Sequence, residues 1–394
     1  MSTTTPKKQL SLGLVPWLLA AGLFGVGLIG LVQRLLTGHQ LVDYGSYVPW
    51  GIWVSVYVYL VWLEVGSLLV YSTIVYLFNW NHSLSSIKAQ VYLAALTTLT
   101  PALLLIALDL GHPLRFWKTI VNPNFGSLMT WMVWLHLTYL AILLVKLYFV
   151  LKARQSGGTQ YKSLLKVLAL VSLPVGLALI GTVGGIFGVV AARPLWQQSV
   201  LPLYFFISAL VAGSALVTLL YVLFGPVKER AEYRATARKL GMLTLGLLLF
   251  GAVAAAMNGL VTFYAGGPAR VEAARLALFG PFWWSFWLVH LGLGVALPVV
   301  LLYLRPNAPR TVGFAAGLVV LTFVAVPLNV IIPAQLTESL ENLGEAFSGP
   351  GLELSYFPTI EEWLVTAFAL GLGLGLFLLA QHMLLTPRAT TTEA

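Results

Sequence analysis

Within seven residues the chain sets an acid, an imidazole and a guanidinium, Asp109, His112 and Arg115, in the stretch from Leu108 to Trp117. Only 9% of its residues are charged, so the grouping stands out. Asp109 closes a long apolar run, and Gly111 with Pro113 should stop the helix just beyond it. A carboxylate there faces the negative end of the helix dipole and calls for a cation or a proton. His112 and Arg115 are the nearest candidates in sequence, and a partly buried Asp109–His112 pair could exchange protons near neutral pH. A surface ion pair closing a loop is the plainer alternative.

Glu64 is the only acid deep within an apolar run, about 21 Å beyond Trp50 at helical rise. Steps of three or four residues put Trp53, Tyr57, Leu60, Glu64, Ser67 and Tyr71 on one stripe, a candidate proton path. The alternative is a protonated Glu64 hydrogen-bonded to a neighbouring helix. His136 and His290 hold matching mid-run places, but transmembrane di-haem anchors generally use four histidines, and His39, His82, His112 and His382 lie near ends or loops. Core histidines are therefore expected rather than haem ligands. Asn258 and Asn329 read as interhelical hydrogen-bonding residues. The absence of cysteine removes thiolate ligation of iron–sulfur clusters from this chain.

The elements that must position these residues are membrane helices. The chain is 59% hydrophobic over 394 residues, with a mean hydropathy of +0.89. Apolar runs of spanning length recur about ten times, near 12–36, 50–78, 86–110, 127–151, 162–190, 199–224, 239–264, 281–304, 309–333 and 361–385. The first is too long for a signal-peptide core and reads as a retained helix. The net charge of +9 does not imply nucleic acid, because the basic residues sit in short loops beside the spans. Sixteen Lys and Arg fall on one side and six on the other (Arg34, Arg115, Lys118, Arg193, Arg270 and Arg275). That bias predicts cytoplasmic termini and an outward-facing Asp109 cluster. The longest outer loop ends at Thr359 and Glu362, which have capping-box spacing.

An internal repeat is legible. Val48-Pro49 ahead of Gly66-Ser67 recurs as Leu201-Pro202 ahead of Gly213-Ser214. Pro113-Leu-Arg115 recurs as Pro268-Ala-Arg270, and Phe125-Gly126 ahead of His136 recurs as Phe279-Gly280 ahead of His290. Spans two to five and six to nine are thus expected to be two four-helix units in the same orientation.

The Pro49-Trp-Gly51 start of the second span, Gly66-Ser67, Asp109-Leu-Gly-His-Pro-Leu-Arg115-Phe, Asn124-Phe-Gly-Ser127-Leu-Met-Thr-Trp131 and Tyr356-Phe-Pro358-Thr-Ile-Glu361 together resemble the NrfD/PsrC family, membrane subunits of polysulfide reductase-like complexes, and among them the ten-span HybB type. The resemblance covers spans two to ten. It implies a quinone or quinol site near the outer face of the first bundle, with electrons exchanged through a docked four-cluster-type iron–sulfur subunit. That subunit leads in turn to a molybdenum enzyme, hydrogenase or cytochrome. It supports Asp109, His112 and Arg115 at the pocket rim and Ser55, Tyr57 and Glu64 as lining. Some relatives carry a histidine in place of Glu64, and HybB-like relatives often have an Arg-Asn pair where this chain reads Pro327-Leu-Asn329. The second repeat has Tyr264-Ala-Gly-Gly-Pro268 where the first has Asp-x-x-His, so one quinone site is expected, in the first bundle.

The expectation is an all-α polytopic protein of the bacterial inner membrane, in four parts: tail and extra helix (1–45), first bundle (46–195), second bundle (196–335), then outer loop, final helix and tail (336–394). Asp109, His112 and Glu64 would handle protons; Arg115, Ser55, Tyr57, Trp53, Ser67 and Trp117 would surround a menaquinone or ubiquinone. The chain would hold no haem, cluster or metal and would contact lipid and its iron–sulfur partner, with proton translocation through Glu64 as an added possibility. A proton-coupled secondary transporter with parallel repeats is the alternative.

Overall fold

The computed structural model describes residues 13–80, 84–156, 160–227, 229–338, 340, 342, 349 and 351–385. The tails bearing Lys7, Lys8 and Arg388, and Lys228 between spans six and seven, lie outside these. Among the described residues the chain is helical without strands, and ten helices are long and apolar enough to cross a membrane: Leu14–Thr37, Ile52–Leu77, Ser85–Asp109, Leu128–Arg154, Lys162–Gly188, Leu201–Phe224, Arg230–Ala265, Ser285–Leu304, Pro309–Gln335 and Ile360–Leu385. They end where backbone chemistry requires it. Gly38 takes φ of 65° after the first span, and Pro202 and Pro309 open the sixth and ninth. A helix at Pro268–Phe279, inside the connection after the seventh span, is an addition to the expected ten.

Spans two to five pack against one another, as do spans six to nine, and the bundles join where the second span crosses the sixth. The repeat explains that junction. A Cβ on Gly66 would fall onto the Ala209 carbonyl, and one on Gly213 onto the Gly66 carbonyl, so two equivalent glycines let the two backbones touch. The second span is consequently central. Every residue from Ile52 to Ser72 is buried, so its polar stripe is set apart by chemistry and not by exposure.

The first and tenth spans come from opposite ends of the chain yet form a pair, which leans on the third span. Gly27, Gly30 and Gly371 make the close contact: a Cβ on Gly27 would meet the Phe368 backbone, and one on Gly371 the Phe24 backbone. This pairing places the C-terminus of the first span beside that of the third.

The face that carries Asp109 also carries the longer connections, and buried arginine ties them together. Arg193 donates from Nη1 to the carbonyls of Gln335 (3.1 Å) and Thr337 (2.6 Å) and from Nη2 to that of Tyr47 (2.7 Å). Gln335 exchanges hydrogen bonds with the backbone of Trp50, giving from Nε2 at 2.9 Å and accepting at Oε1 at 3.0 Å. Arg270 donates to the Pro194 carbonyl (2.9 Å) and the Gln197 carbonyl (3.1 Å). Its counterpart in the repeat, Arg115, is exposed.

Candidate functional site

The cation beside Asp109 is Arg34, from the last turn of the first span. Arg34 is buried and donates from Nε and Nη2 to the Leu108 carbonyl (2.9 and 2.6 Å) and from Nη2 to the Leu110 carbonyl (3.2 Å). It thus takes up carbonyls left free at the end of the third span while setting a positive charge near the Asp109 carboxyl. His112 and Arg115 do not fill that role. Both are exposed on the following connection, with Trp117.

Three further groups complete the cluster. His39 meets Arg34 Nη2 through Nε2 at 2.9 Å and also neighbours the Asp109 backbone carbonyl. Burial and the adjacent guanidinium push the His39 ring below its ordinary pKa, which favours the neutral form. Tyr44 packs edge-on to His39 (5.4 Å between ring centroids) and Trp53 (5.8 Å), and its hydroxyl neighbours the Asp109 carboxyl. Burial first, then Asp109, drives the Tyr44 phenol well above its usual range, so it remains a neutral donor. The Tyr44 hydroxyl and Asp109 Oδ1 are both buried; the hydroxyl is paired with the Asp109 carboxyl, but neither atom makes a hydrogen bond of good geometry among the described residues.

Glu362 braces this cluster from the tenth span. Thr359 and Glu362 form the capping box that their spacing predicts, with Glu362 Oε2 accepting from the Thr359 amide (2.9 Å) and also from the Asp43 amide (3.3 Å). Its Oε1 accepts from the Tyr356 hydroxyl at 2.6 Å, and that hydroxyl accepts from the Ile52 amide at 2.7 Å. Trp53 Nε1 donates to the Glu362 carbonyl at 3.0 Å. Gly51 is required at this junction, because a Cβ there would lie 2.6 Å from both Glu362 Oε1 and the Tyr356 hydroxyl.

Deeper in the first bundle, Glu64 is fully buried and neither carboxyl oxygen has a partner among the described residues, so the alternative of a hydrogen bond to a neighbouring helix finds no partner there. Its electrostatic neighbours are Tyr57 and Tyr139. Tyr57 donates to Met132 Sδ at 3.1 Å and lies 6.1 Å, centroid to centroid, from His136. His136 Nδ1 is satisfied by the Met132 carbonyl at 2.9 Å, which leaves Nε2 unpartnered. Ser67 donates to the Glu64 carbonyl at 2.9 Å, a local helix contact, whereas the buried Ser55 hydroxyl has no partner among the described residues. Towards the opposite face Lys146, fully buried, donates to Ser172 Oγ at 3.2 Å with its ammonium over the Tyr92 ring.

Thus Trp53 joins the Asp109 cluster directly, Tyr57 and Glu64 lie below it in the bundle, and His112, Arg115 and Trp117 stand outside on the surface. Motif spacing does not single out Arg34, His39, Tyr44, Tyr356 or Glu362 as site residues. Arg34 carries a signal all the same, an arginine ending an apolar run on the face poor in basic residues.

Fold and site together define a polytopic helical membrane protein with a polar cluster on one face. The chain belongs to the family described as Polysulphide reductase, NrfD, whose model matches residues 42–338. It is 30% identical to the C subunit of selenate reductase from Mesobacillus selenatarsenatis over 389 residues, covering 89% of each protein. It is 28% identical to the Hdr-like menaquinol oxidoreductase integral membrane subunit of Archaeoglobus fulgidus, over 80% of each. The C component of polysulfide reductase from Wolinella succinogenes is 29% identical, over 72% of this protein and 91% of its own length. The family match includes Tyr44, Trp53 and Asp109. Arg34, His39, Tyr356 and Glu362 fall outside it.

Proposed function

We propose that this protein is the quinone-interacting membrane subunit of a respiratory oxidoreductase, exchanging electrons with an iron–sulfur partner docked on the Asp109 face. The observation that carries the reading is the buried Tyr44–Asp109 pair beside the Arg34 guanidinium, in which the Tyr44 hydroxyl and Asp109 Oδ1 lack a hydrogen bond of good geometry. Leaving such groups poorly met costs about 1–3 kcal/mol each, and a ring oxygen would serve both: a quinol hydroxyl accepts from Tyr44 and donates to the carboxylate, and a quinone carbonyl accepts from Tyr44 and from protonated Asp109.

When bound, the quinone supplies a redox centre whose oxygens gain or lose protons with its electrons. The Tyr44 hydroxyl donates a hydrogen bond at that oxygen, Asp109 takes up or gives the proton, and Arg34 compensates the carboxylate charge. Because Arg34 is pinned by two carbonyls and His39 stays neutral, the positive charge is fixed in place. Leu114, Phe116, Val121 and Phe125, exposed on the connection from Leu110 to Ser127 with Trp117, supply an apolar surface for the partner.

The orphaned Glu64 supports proton translocation: it lies between the Tyr57–His136 pair and the Lys146 region nearer the opposite face. The charge bias supports placing the Asp109 face outward in a bacterial inner membrane, with cytoplasmic termini. Relatives named as reductase and oxidoreductase subunits weigh against a lone proton-coupled transporter.

The test is purification with its native partners. The reading requires quinone extractable from the complex, and quinol-linked reduction of the partner's clusters that falls about a hundredfold in Asp109→Asn. Isolation without redox partners, or full turnover in Asp109→Asn, would overturn it.

A further inference from the structure

The second bundle contains a cavity of about 640 Å³, in the size range that takes a small organic ligand. Among the described residues its lining includes no Asp, Glu, Lys or Arg. It does include Asn329, 7% exposed, with both amide atoms unpartnered, and His290, whose buried Nδ1 is unpartnered. Buried amides and imidazoles are almost always hydrogen-bonded, so two orphans in one cavity point to a missing partner.

Both orphans depend on irregular backbone. His290 occupies a stretch of π-helix, Ser285–Ala296, a winding common at functional sites. Its counterpart His136 ties Nδ1 to the carbonyl four residues back, and His290 does not. Asn329 lies in Ala325–Ile331, a segment set off from the rest of the ninth span at Phe323–Val324. The two segments pack together, and His290 and Asn329 lie about 7.5 and about 9 Å from their spans' ends on the Asp109 face at helical rise.

The lining selects among occupants. Without a cation it gives a phosphate headgroup no counter-charge. An acyl chain fills space but satisfies neither Asn329 nor His290. A neutral ring bearing carbonyl or hydroxyl oxygens satisfies both, since the amide donates and accepts and imidazole does either by tautomer. Phe286 and Phe323 flank the His290 ring at 5.9 and 5.6 Å and supply aromatic walls for a flat ring. Leu260, Phe263, Trp287 and Leu291, at the cavity rim, are exposed on membrane-spanning helices, so an apolar tail has a lateral exit into the bilayer.

We propose that the second bundle holds a second quinone-type molecule, its ring oxygens on Asn329 and His290 and its isoprenoid tail leaving between the seventh and eighth spans. The ligand class rests on the quinone reading of the chain, but the residues are separate from the Asp109 cluster. Against the single site expected from the repeat, the second bundle uses different chemistry, neutral hydrogen bonding without a carboxylate, which suits holding or exchanging the molecule rather than proton transfer.

The test is photolabelling of the intact complex, in phosphatidylcholine nanodiscs, with an azido-naphthoquinone bearing a short isoprenoid tail, followed by peptide mapping. Label is expected both near 104–131 and within 251–295 or 323–330. His290→Phe and Asn329→Leu should lower the second labelling by about tenfold or more and spare the first, while Asp109→Asn should do the reverse. Ala255→Phe, which fills the cavity from its wall without touching either polar group, should also abolish the second and decides the matter if the polar variants do not accumulate. Second-bundle label that is absent, or indifferent to all three variants, overturns the inference; the latter outcome means that the probe labels the lipid-facing surface and not the cavity. Label in the second bundle without label near Asp109 would retain it and sink the first-bundle reading instead.

Discussion

Gly66 of the second span and Gly213 of the sixth, equivalent positions in the repeat, meet where the two bundles cross, each bare of the Cβ that would strike the other helix's backbone. The obstacle on each side is main chain, which cannot rotate away as a side chain would. Gly213→Leu is therefore expected to cost about 1–3 kcal/mol or to prevent assembly outright. Gly246→Ala, where a Cβ meets nothing within 4 Å, should be neutral or stabilising. Thermal melting of the purified variants in one detergent checks this; equal melting temperatures would refute it.

Arg34 and Arg115 should behave oppositely. Arg34→Lys keeps the charge but loses the planar fork that serves the Leu108 and Leu110 carbonyls, so a loss of about 1–3 kcal/mol in stability is expected. Arg115→Lys, on the exposed connection, should leave the melting temperature within error. Retained stability in Arg34→Lys would remove the first span from the site.

Tyr44→Phe separates binding from folding. It keeps the ring contacts with His39 and Trp53 and deletes a buried hydroxyl whose pairing with Asp109 falls short of good geometry, so stability should change by less than about 1 kcal/mol. Quinol-linked kcat/KM should fall by about tenfold or more if that hydroxyl serves the substrate. A steady-state assay beside a thermal melt gives both signs, and unchanged kcat/KM would discard Tyr44 as a substrate contact.

His39 gives a pH signature. Its folded pKa is depressed, so the unfolded chain takes up a proton first as pH falls below the ordinary value of about 6.5. The stability tied to the neutral ring is thus present above that value and is lost as pH drops through the folded pKa. Protonation would set a second cation against Arg34, 2.9 Å away. Melting temperature should decline on acidification below about pH 6.5, and His39→Gln, which can still accept from Arg34, should flatten the decline. A slope identical to the parent's would count against this account.

Much of the fold was legible in order. Apolar run length reported ten spans, and the displaced Gly-Ser, Pro-x-Arg and Gly-to-His landmarks reported the repeat, because both are periodic properties of one strip of chain. Asp109 was legible as a carboxylate at a helix end. Its partner was not. Sequence proximity favoured His112 and Arg115, but a carboxylate at the end of a membrane helix is met by whatever adjoining helices bring to that depth, and here that is Arg34, 75 residues earlier.

The sequence by itself determined the spans, their alternation, the repeat and the rarity of charge, since the cost of polar groups in hydrocarbon leaves few other ways to place them. Only the tertiary structure decided that the first and tenth spans pair, that Arg34, His39, Tyr44 and Glu362 gather at Asp109, and that His290 and Asn329 share an open cavity. These are contacts between distant segments, governed by how glycine-lined surfaces fit together. Local pattern has no access to that fit.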